Sequence, residues 1–181
     1  RPGDTVFVIG LGGVGNAAVQ AARCSGAELI IGADPREDRR TQGMASGADM
    51  VLDPTSTDVV AEILEATSGV GVDYSFDAVA DPDSTIRPGF ASLRPGGLLV
   101  VIGVPSADTN FTVPGPLLVS DERKITGCFL GSADPHREIE RLITLWRRGR
   151  IDLEPFVSDH TPLQNLPGLF NGDQNPSNGL R

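Results

Sequence analysis

A glycine-rich run followed by one acidic residue is the part of this sequence best suited to chemistry. The apolar residues 5–9 lead directly into Gly10, Gly12 and Gly15, and Asp34 follows 19 residues after Gly15. Glycines at this spacing permit a tight turn, let the backbone approach a ligand and let a helix pack close to the preceding strand. The start of that helix offers unpaired N–H groups to an anion. The pattern predicts a loop that binds a dinucleotide pyrophosphate through Gly10, Gly12, Gly13, Val14 and Gly15.

Asp34 stands at the end of the second apolar run, where a carboxylate accepts hydrogen bonds from the adenosine ribose diol. A carboxylate at this position repels the 2′-phosphate of NADP, so it predicts NAD as the cofactor. The alternative is that Asp34 and Pro35 only begin a turn. Arg36, Arg39 and Arg40 favour NADP, but we interpret them mainly as a solvated helix face, with Arg39 able to lie over the adenosine.

The elements around this loop alternate between strands and helices through the first 130 residues. Such alternation is typical of βαβ units around a parallel sheet that is covered on both faces. The sequence therefore predicts an α/β fold with a doubly wound, six-stranded parallel sheet, the Rossmann fold. We expect strands near 5–9, 29–33, 50–52, 72–78, 97–102 and 124–130.

Glycines and apolar spacing predict the helices. Gly26, Gly47 and Gly69 are each suited to the left-handed position that ends a helix. Residues 137–148 carry an apolar stripe at helical spacing, which we interpret as facing the core. The residues of that stripe are Ile139, Leu142, Ile143 and Trp146.

The composition of the sequence changes at Ile151, where prolines and then a polar segment rich in glycine and asparagine begin. We interpret residues 1–150 as an NAD(P)-binding domain. Residues 151–181 are expected to form a C-terminal segment that leads back toward a catalytic domain otherwise absent from this chain.

Charge and hydropathy exclude several classes of partner. The net charge is −9 and the basic residues are scattered, so neither nucleic acid nor an anionic membrane is an expected partner. The longest apolar runs are the length of a strand, and the sequence does not open with a secretory signal, so we expect a cytoplasmic protein.

The cysteines and histidines do not form a metal-binding pattern. Cys24, Cys128, His136 and His160 are the whole set, and none stands at a zinc-ligand spacing. We expect no metal site in this chain. The two cysteines are expected to be buried thiols rather than a disulfide.

Several segments in series resemble the zinc-containing alcohol dehydrogenases of the medium-chain dehydrogenase/reductase superfamily. The resemblance begins with residues 3–15 and the Gly47-Ala48 pair, and it extends over about residues 1–170. The further segments are Asp73-Tyr74-Ser75-Phe76-Asp77, Leu93-Arg94-Pro95-Gly96-Gly97, Ile102-Gly103-Val104-Pro105 and Gly127-Cys128-Phe129-Leu130-Gly131-Ser132.

The resemblance implies further cofactor contacts. Ala78 and Val79 would line the adenosine and ribose side. Ile102 and Val104, with Gly103 between them, would flank the nicotinamide. Backbone groups of Ile102, Cys128 and Leu130 would hold the carboxamide and so orient the ring toward the substrate.

The family's pattern is incomplete here. Its catalytic zinc ligands lie mainly in an N-terminal domain that this sequence does not contain. Its final helix precedes an arginine that reaches the pyrophosphate, and Arg181 stands near that position, although residues 171–179 form a poor helix.

The reaction that the resemblance implies is reversible hydride transfer between an alcohol or aldehyde and nicotinamide, with zinc in the missing domain polarising the oxygen. This chain alone is then expected to be inactive. The alternatives are a nucleotide-binding module without chemistry and a methyltransferase-like domain. The family also implies a homodimer, formed by antiparallel pairing of the strand near Lys124–Leu130 with its copy and including Pro114–Val119.

Overall fold

The computed structural model describes residues 1–157 and 160–166, which form one six-stranded sheet in the order β3-β2-β1-β4-β5-β6. Every neighbouring pair in this sheet is parallel. The order changes direction between β1 and β4, which is where open sheets of this kind leave a crevice for a ligand. This confirms the predicted fold class. The strands are β1 (Thr5–Ile9), β2 (Leu29–Ala33), β3 (Met50–Leu52), β4 (Val72–Asp77), β5 (Leu93–Val101) and β6 (Lys124–Gly127).

Helices cover both faces of the sheet because residues along β1 alternate between two cores. Val6 and Val8 belong to a buried cluster with Val19, while Phe7 and Ile9 belong to a second cluster. Burial of each such side chain contributes about 1.5–3 kcal/mol. Among the described residues, no helix is long and apolar enough to cross a membrane. The helices are α1 (Gly13–Cys24), α2 (Glu37–Ala45), α3 (Val59–Ala66), α4 (Arg87–Ala91), α5 (Gly115–Val119) and α6 (Pro135–Arg147).

The predicted helix ends are close to those observed. The C-cap residues of α1 and α2 are Ser25 and Ser46. Gly26 and Gly47 directly follow them and have φ values of 85° and 110°. At the end of α3, Ser68 already takes the left-handed conformation with φ of 53°, and Gly69 follows one residue later.

The predicted sixth strand is too long. It was expected to reach Leu130, but β6 ends at Gly127. Leu130 and Gly131 have φ values of 48° and 72°, which a strand cannot accommodate, and Leu130–Ser132 forms a 3₁₀ turn instead.

The core-facing interpretation of α6 is wrong for the part of the chain that the structure describes. The helix forms, but Ile139, Leu142, Ile143 and Trp146 are 54%, 50%, 40% and 48% exposed. Leu142 and its neighbours instead face α1 across a cavity of about 620 Å³ that Val14 and Cys24 also line. Helical spacing shows which face is apolar, but it does not show what covers that face.

Candidate cofactor-binding site

The glycine-rich loop turns sharply between β1 and α1. Gly10 has a φ of 83°, and a Cβ at this position would lie 2.6 Å from Cγ2 of Val79. A Cβ on Gly15 would lie 1.7 Å from the carbonyl oxygen of Gly10. The structure therefore contains the tight turn at Gly10 and the close helix–strand packing at Gly15 that the sequence predicts.

The N-terminus of α1 has unused hydrogen-bond donors. The helical ladder begins with the bond from Asn16 N–H to the carbonyl of Gly12, at 2.9 Å. Gly13, Val14 and Gly15 precede this bond, so their N–H groups have no acceptor within the helix. No side chain caps the helix at Gly12, and the first turn contains no acidic residue. This end of α1 is therefore suited to an anionic ligand.

Leu11 fixes the loop to the elements behind it, a contact that the sequence did not reveal. Its side chain is fully buried. A Cβ on Gly32 of β2 would lie 2.9 Å from the Leu11 side chain, and a Cβ on Gly43 of α2 would lie 2.8 Å from it. The absence of side chains at these two glycines makes the room that Leu11 occupies.

Asp34 is placed directly beside this loop. Its carboxylate is 2% exposed and accepts hydrogen bonds from the Leu11 N–H at 2.9 Å and the Arg36 N–H at 2.9 Å. Arg39 Nη1 lies 3.6 Å from Oδ2 of Asp34. A carboxylate has about four acceptor positions, so the two backbone N–H groups leave part of the acceptor capacity of Asp34 unused.

A cavity of about 600 Å³ opens in front of Asp34. Its volume is within the usual range for small-molecule and cofactor sites. The residues that line it come from the ends of β1 and β2, the start of α3 and the segment after β4, and they include Gly10, Asp34, Arg39, Thr55 and Val79. Thr55 was not among the predicted site residues, because no sequence signal links the loop before α3 to the glycine-rich turn.

The three nearby arginines all lie within ion-pair distance of carboxylates. Arg36 donates to Asp38 through Nε and Nη2, at 3.0 and 2.5 Å. Arg40 pairs with Asp53 at 3.2 Å and also donates to the carbonyl of Asp34.

Arg39 differs from these two arginines. Its side chain is 25% exposed, and its Nε is buried without a hydrogen-bond partner among the described residues.

The residues predicted for the nicotinamide side line a second cavity, of about 630 Å³. Ile102, Gly103, Val104 and Cys128 contribute to it. Leu130 is 76% exposed. Of the other predicted residues, Gly10, Asp34, Arg39 and Val79 line the first cavity, whereas Gly13 and Val14 line the cavity between α1 and α6. Arg181 lies outside the described residues.

Asp77, at the end of β4, connects the two cavities, and the sequence reasoning missed its role. The side chain is fully buried, and its carboxylate accepts from Val79 N–H, Ala80 N–H and the Thr85 hydroxyl, each at 2.9 Å. The backbone carbonyl of Asp77 also accepts from the N–H groups of Ile102 and Gly103. The available signal was an acid at the C-terminal end of a strand that neighbours β1.

The described residues contain no group of three or more His, Cys, Asp and Glu side chains that could hold a metal ion. Cys24 and Cys128 are free and half-buried. The disulfide is therefore absent as predicted, although the thiols are less buried than expected.

Comparison with known proteins identifies relatives along nearly the whole chain. A family model described as zinc-binding dehydrogenase matches residues 13–147. Alcohol dehydrogenase 1 of Pisum sativum is 32% identical over 173 residues, which is 94% of this chain and 45% of that protein. Alcohol dehydrogenase B of Mycobacterium tuberculosis is 30% identical over 181 residues, which is 99% of this chain and 47% of that protein.

The crystal structure of benzyl alcohol dehydrogenase from Acinetobacter calcoaceticus matches with a TM-score of 0.89 and 26% identity, covering 96% of this chain and 47% of that one. The chain spans less than half the length of these relatives. Because the family model covers most of its residues, the chain belongs to the zinc-binding dehydrogenases of the medium-chain dehydrogenase/reductase superfamily and is their cofactor-binding Rossmann module.

Proposed function

We propose that this chain binds NAD(H) across the crevice between β1 and β4 as part of an alcohol dehydrogenase. The observation that carries the proposal is the buried Asp34 carboxylate, held by the Leu11 N–H beside the free donors at the start of α1. The α1 donors would bind the pyrophosphate and Asp34 the adenosine ribose. Ile102, Gly103 and Val104 would support the nicotinamide, which supplies or accepts a hydride when bound.

The choice of NAD over NADP rests on charge. Asp34 would repel a 2′-phosphate, while Arg36 and Arg40 already pair with Asp38 and Asp53. Arg39 keeps an unpartnered buried Nε but lies 3.6 Å from Asp34, which offsets its charge. These contacts leave no uncompensated cation for the additional phosphate among the three arginines.

The test is the Asp34→Ala variant, titrated with NADH and NADPH by nicotinamide fluorescence. Each charged hydrogen bond to the ribose contributes roughly 1.5–3 kcal/mol before water recovers part of it, so NADH affinity should fall at least about tenfold. NADPH affinity should rise or stay level. Glu28→Ala is the charge-matched control, because Glu28 is exposed and does not line the cavity. Equal losses for both cofactors would show that Asp34 holds the loop without selecting NAD, and no change in either would show that Asp34 is only a turn residue.

The catalytic zinc and the substrate site belong, in this proposal, to residues outside this chain. In this proposal residues 1–150 are the cofactor domain and residues 151–181 lead back toward the catalytic part, although residues 158–159 and 167–181 lie outside the described residues. The isolated chain is then expected to bind NAD(H), retain no zinc after dialysis and oxidise no alcohol. About one tightly held zinc per chain in metal analysis would contradict this division.

A nucleotide-binding module without chemistry is the second candidate, favoured by the lack of a metal-binding group among the described residues. An intact-mass measurement on the native protein separates the two candidates, because a native protein that carries an additional zinc-binding domain would exclude this one. The methyltransferase alternative loses its support, because the family match is to dehydrogenases.

We also propose a homodimer that forms along β6. Within the part of the chain that the structure describes, this strand pairs with β5 alone, and Lys124, Thr126 and Gly127 are exposed. An unpaired edge is a template for another strand. Light scattering at high concentration should show a dimer, and a strictly monomeric species would contradict it. A cytoplasmic location stays a prediction.

A further inference from the structure

Asn16 is a buried polar residue in the first turn of α1 that the nucleotide-binding pattern does not include. Its side chain is 0% exposed. The side-chain amide Nδ2 donates to two backbone carbonyls of the glycine-rich loop, that of Leu11 at 2.5 Å and that of Gly12 at 3.1 Å. One side chain therefore holds two consecutive peptide units of the loop.

Because the peptide bond is planar, these two carbonyl contacts also set the directions of the N–H groups that follow them in the chain. In a trans peptide, the C=O and the following N–H point in opposite directions within one plane. The carbonyl of Leu11 shares its plane with the N–H of Gly12, and the carbonyl of Gly12 shares its plane with the N–H of Gly13. Because Asn16 holds both carbonyls toward itself, both N–H groups are directed away from it.

The preceding peptide unit is held by a different residue. The N–H of Leu11 donates to Asp34 and is therefore already used. Asp34 and Asn16 thus fix successive peptide units of the same loop, one through an N–H and the other through carbonyls. The N–H groups of Gly12 and Gly13 are left for a ligand in front of α1.

The side-chain oxygen of Asn16 indicates that a contribution to folding stability is not the only reason for an asparagine at this position. This oxygen, Oδ1, is buried and has no hydrogen-bond partner among the described residues. An unpaired buried acceptor opposes folding, and an apolar side chain of similar size would avoid that cost.

We propose that Asn16 is a positioning residue for diphosphate binding. It directs the Gly12 and Gly13 N–H groups toward the two phosphates before the ligand arrives, so the ligand does not have to order the loop. This inference rests on the proposed nucleotide-binding function. It concerns the diphosphate alone, because Asn16 contacts neither Asp34 nor the cavity in front of it.

The experiment compares wild type with Asn16→Leu and Asn16→Ala, using ADP and adenosine as probes in ¹H–¹⁵N NMR titrations. These probes differ only in the diphosphate. Gln20→Leu is the matched control, since Gln20 lies one turn further along α1 and its side-chain amide binds Asp152 backbone groups instead of the loop.

We expect the Asn16 variants to bind ADP about tenfold more weakly, while adenosine affinity changes less than about twofold. Their melting temperatures should stay within about 5 °C of wild type. Gln20→Leu should bind both probes as wild type does. Equal losses of ADP and adenosine affinity, or no loss of either, would overturn the proposal.

Wild type supplies a second measurement that does not depend on a variant folding. The amide signals of Gly12 and Gly13 should shift on addition of ADP and not on addition of adenosine. If ADP binds without moving them, the role of Asn16 is overturned and nucleotide binding stands. If wild type binds neither ADP nor NADH, the proposed function fails and this inference fails with it.

Discussion

Two regions of the fold differ in how far their apolar residues are buried. They are the nucleotide half, residues 5–77, and the terminal edge, residues 124–147. In the nucleotide half, Val8, Val19, Ile31 and Ile63 are fully buried, and the described residues cover both faces of the sheet. In the terminal edge, α6 has no buried residue. The core of the nucleotide half is therefore covered within the described residues, with Ile86, Phe90, Leu93 and Leu99 contributing from outside residues 5–77. The terminal edge keeps an apolar surface that the described residues do not cover.

Because of this difference, we expect the nucleotide half to determine most of the cofactor affinity and the terminal edge to determine contacts with residues outside the described part of the chain. Asp34 and Arg39 line a cavity to which α6 does not contribute, so we expect substitutions on α6 to leave these two residues in place. The apolar stripe of α6 stabilises the molecule only as far as something outside the described residues covers it. Substitutions in the two regions should therefore have very different effects.

The largest effect is expected from Gly15→Ala. The added Cβ would lie 1.7 Å from the carbonyl oxygen of Gly10, a backbone atom that cannot move without displacing the loop. We expect a loss above about 4 kcal/mol, well beyond the common range for one substitution, measured by urea unfolding. Gly115→Ala is the control, because a Cβ at that position meets nothing within 4 Å. Similar stability of the two variants would mean that helix and strand are less closely packed than described.

A pair of isoleucines on two helices tests the comparison directly. Ile63 on α3 is 0% exposed and Ile139 on α6 is 54% exposed. Ile63→Ala should lower the free energy of unfolding by about 2–5 kcal/mol, and Ile139→Ala by less than about 1 kcal/mol. Chemical denaturation of the isolated chain at low concentration measures both. A large loss for Ile139→Ala would show that the stripe is covered in solution.

The smallest effect concerns Asp73, at the start of β4. Burial alone would raise the pKa of this carboxyl, but hydrogen bonds from Thr5 and Arg94 outweigh it and hold the pKa below its ordinary value of 3.8. A lowered folded-state pKa stabilises the protein above pH 3.8, and this contribution is lost as the pH falls through the folded-state value.

Asp73→Asn should therefore cost about 1–2 kcal/mol at pH 7, and its difference from wild type should shrink below pH 3.8. Urea unfolding of both proteins between neutral pH and pH 3 measures the difference. Parallel pH profiles would show that the Asp73 carboxylate contributes nothing through its ionisation.

The parts predicted correctly from the sequence depend on local signals. The glycine spacing and the apolar runs set the loop, the strands of the sheet and the position of Asp34, because each signal lies within one βαβ unit. Asp77 and Asn16 were missed because their roles depend on carbonyls and N–H groups that only the folded backbone brings together. The orientation of α6 was wrong because periodicity carries no information about the covering surface.

The burial of Leu11 between Gly32 and Gly43 makes three distant positions a size-complementary set. A methyl group added at position 32 or 43 would lie 2.9 or 2.8 Å from the Leu11 side chain, so it requires a smaller residue at position 11. That smaller residue would loosen the anchor of the loop. Substitutions at these positions are therefore not independent, and related sequences should vary at the three sites in concert. A redesign of the nucleotide loop must change β2 and α2 together with it.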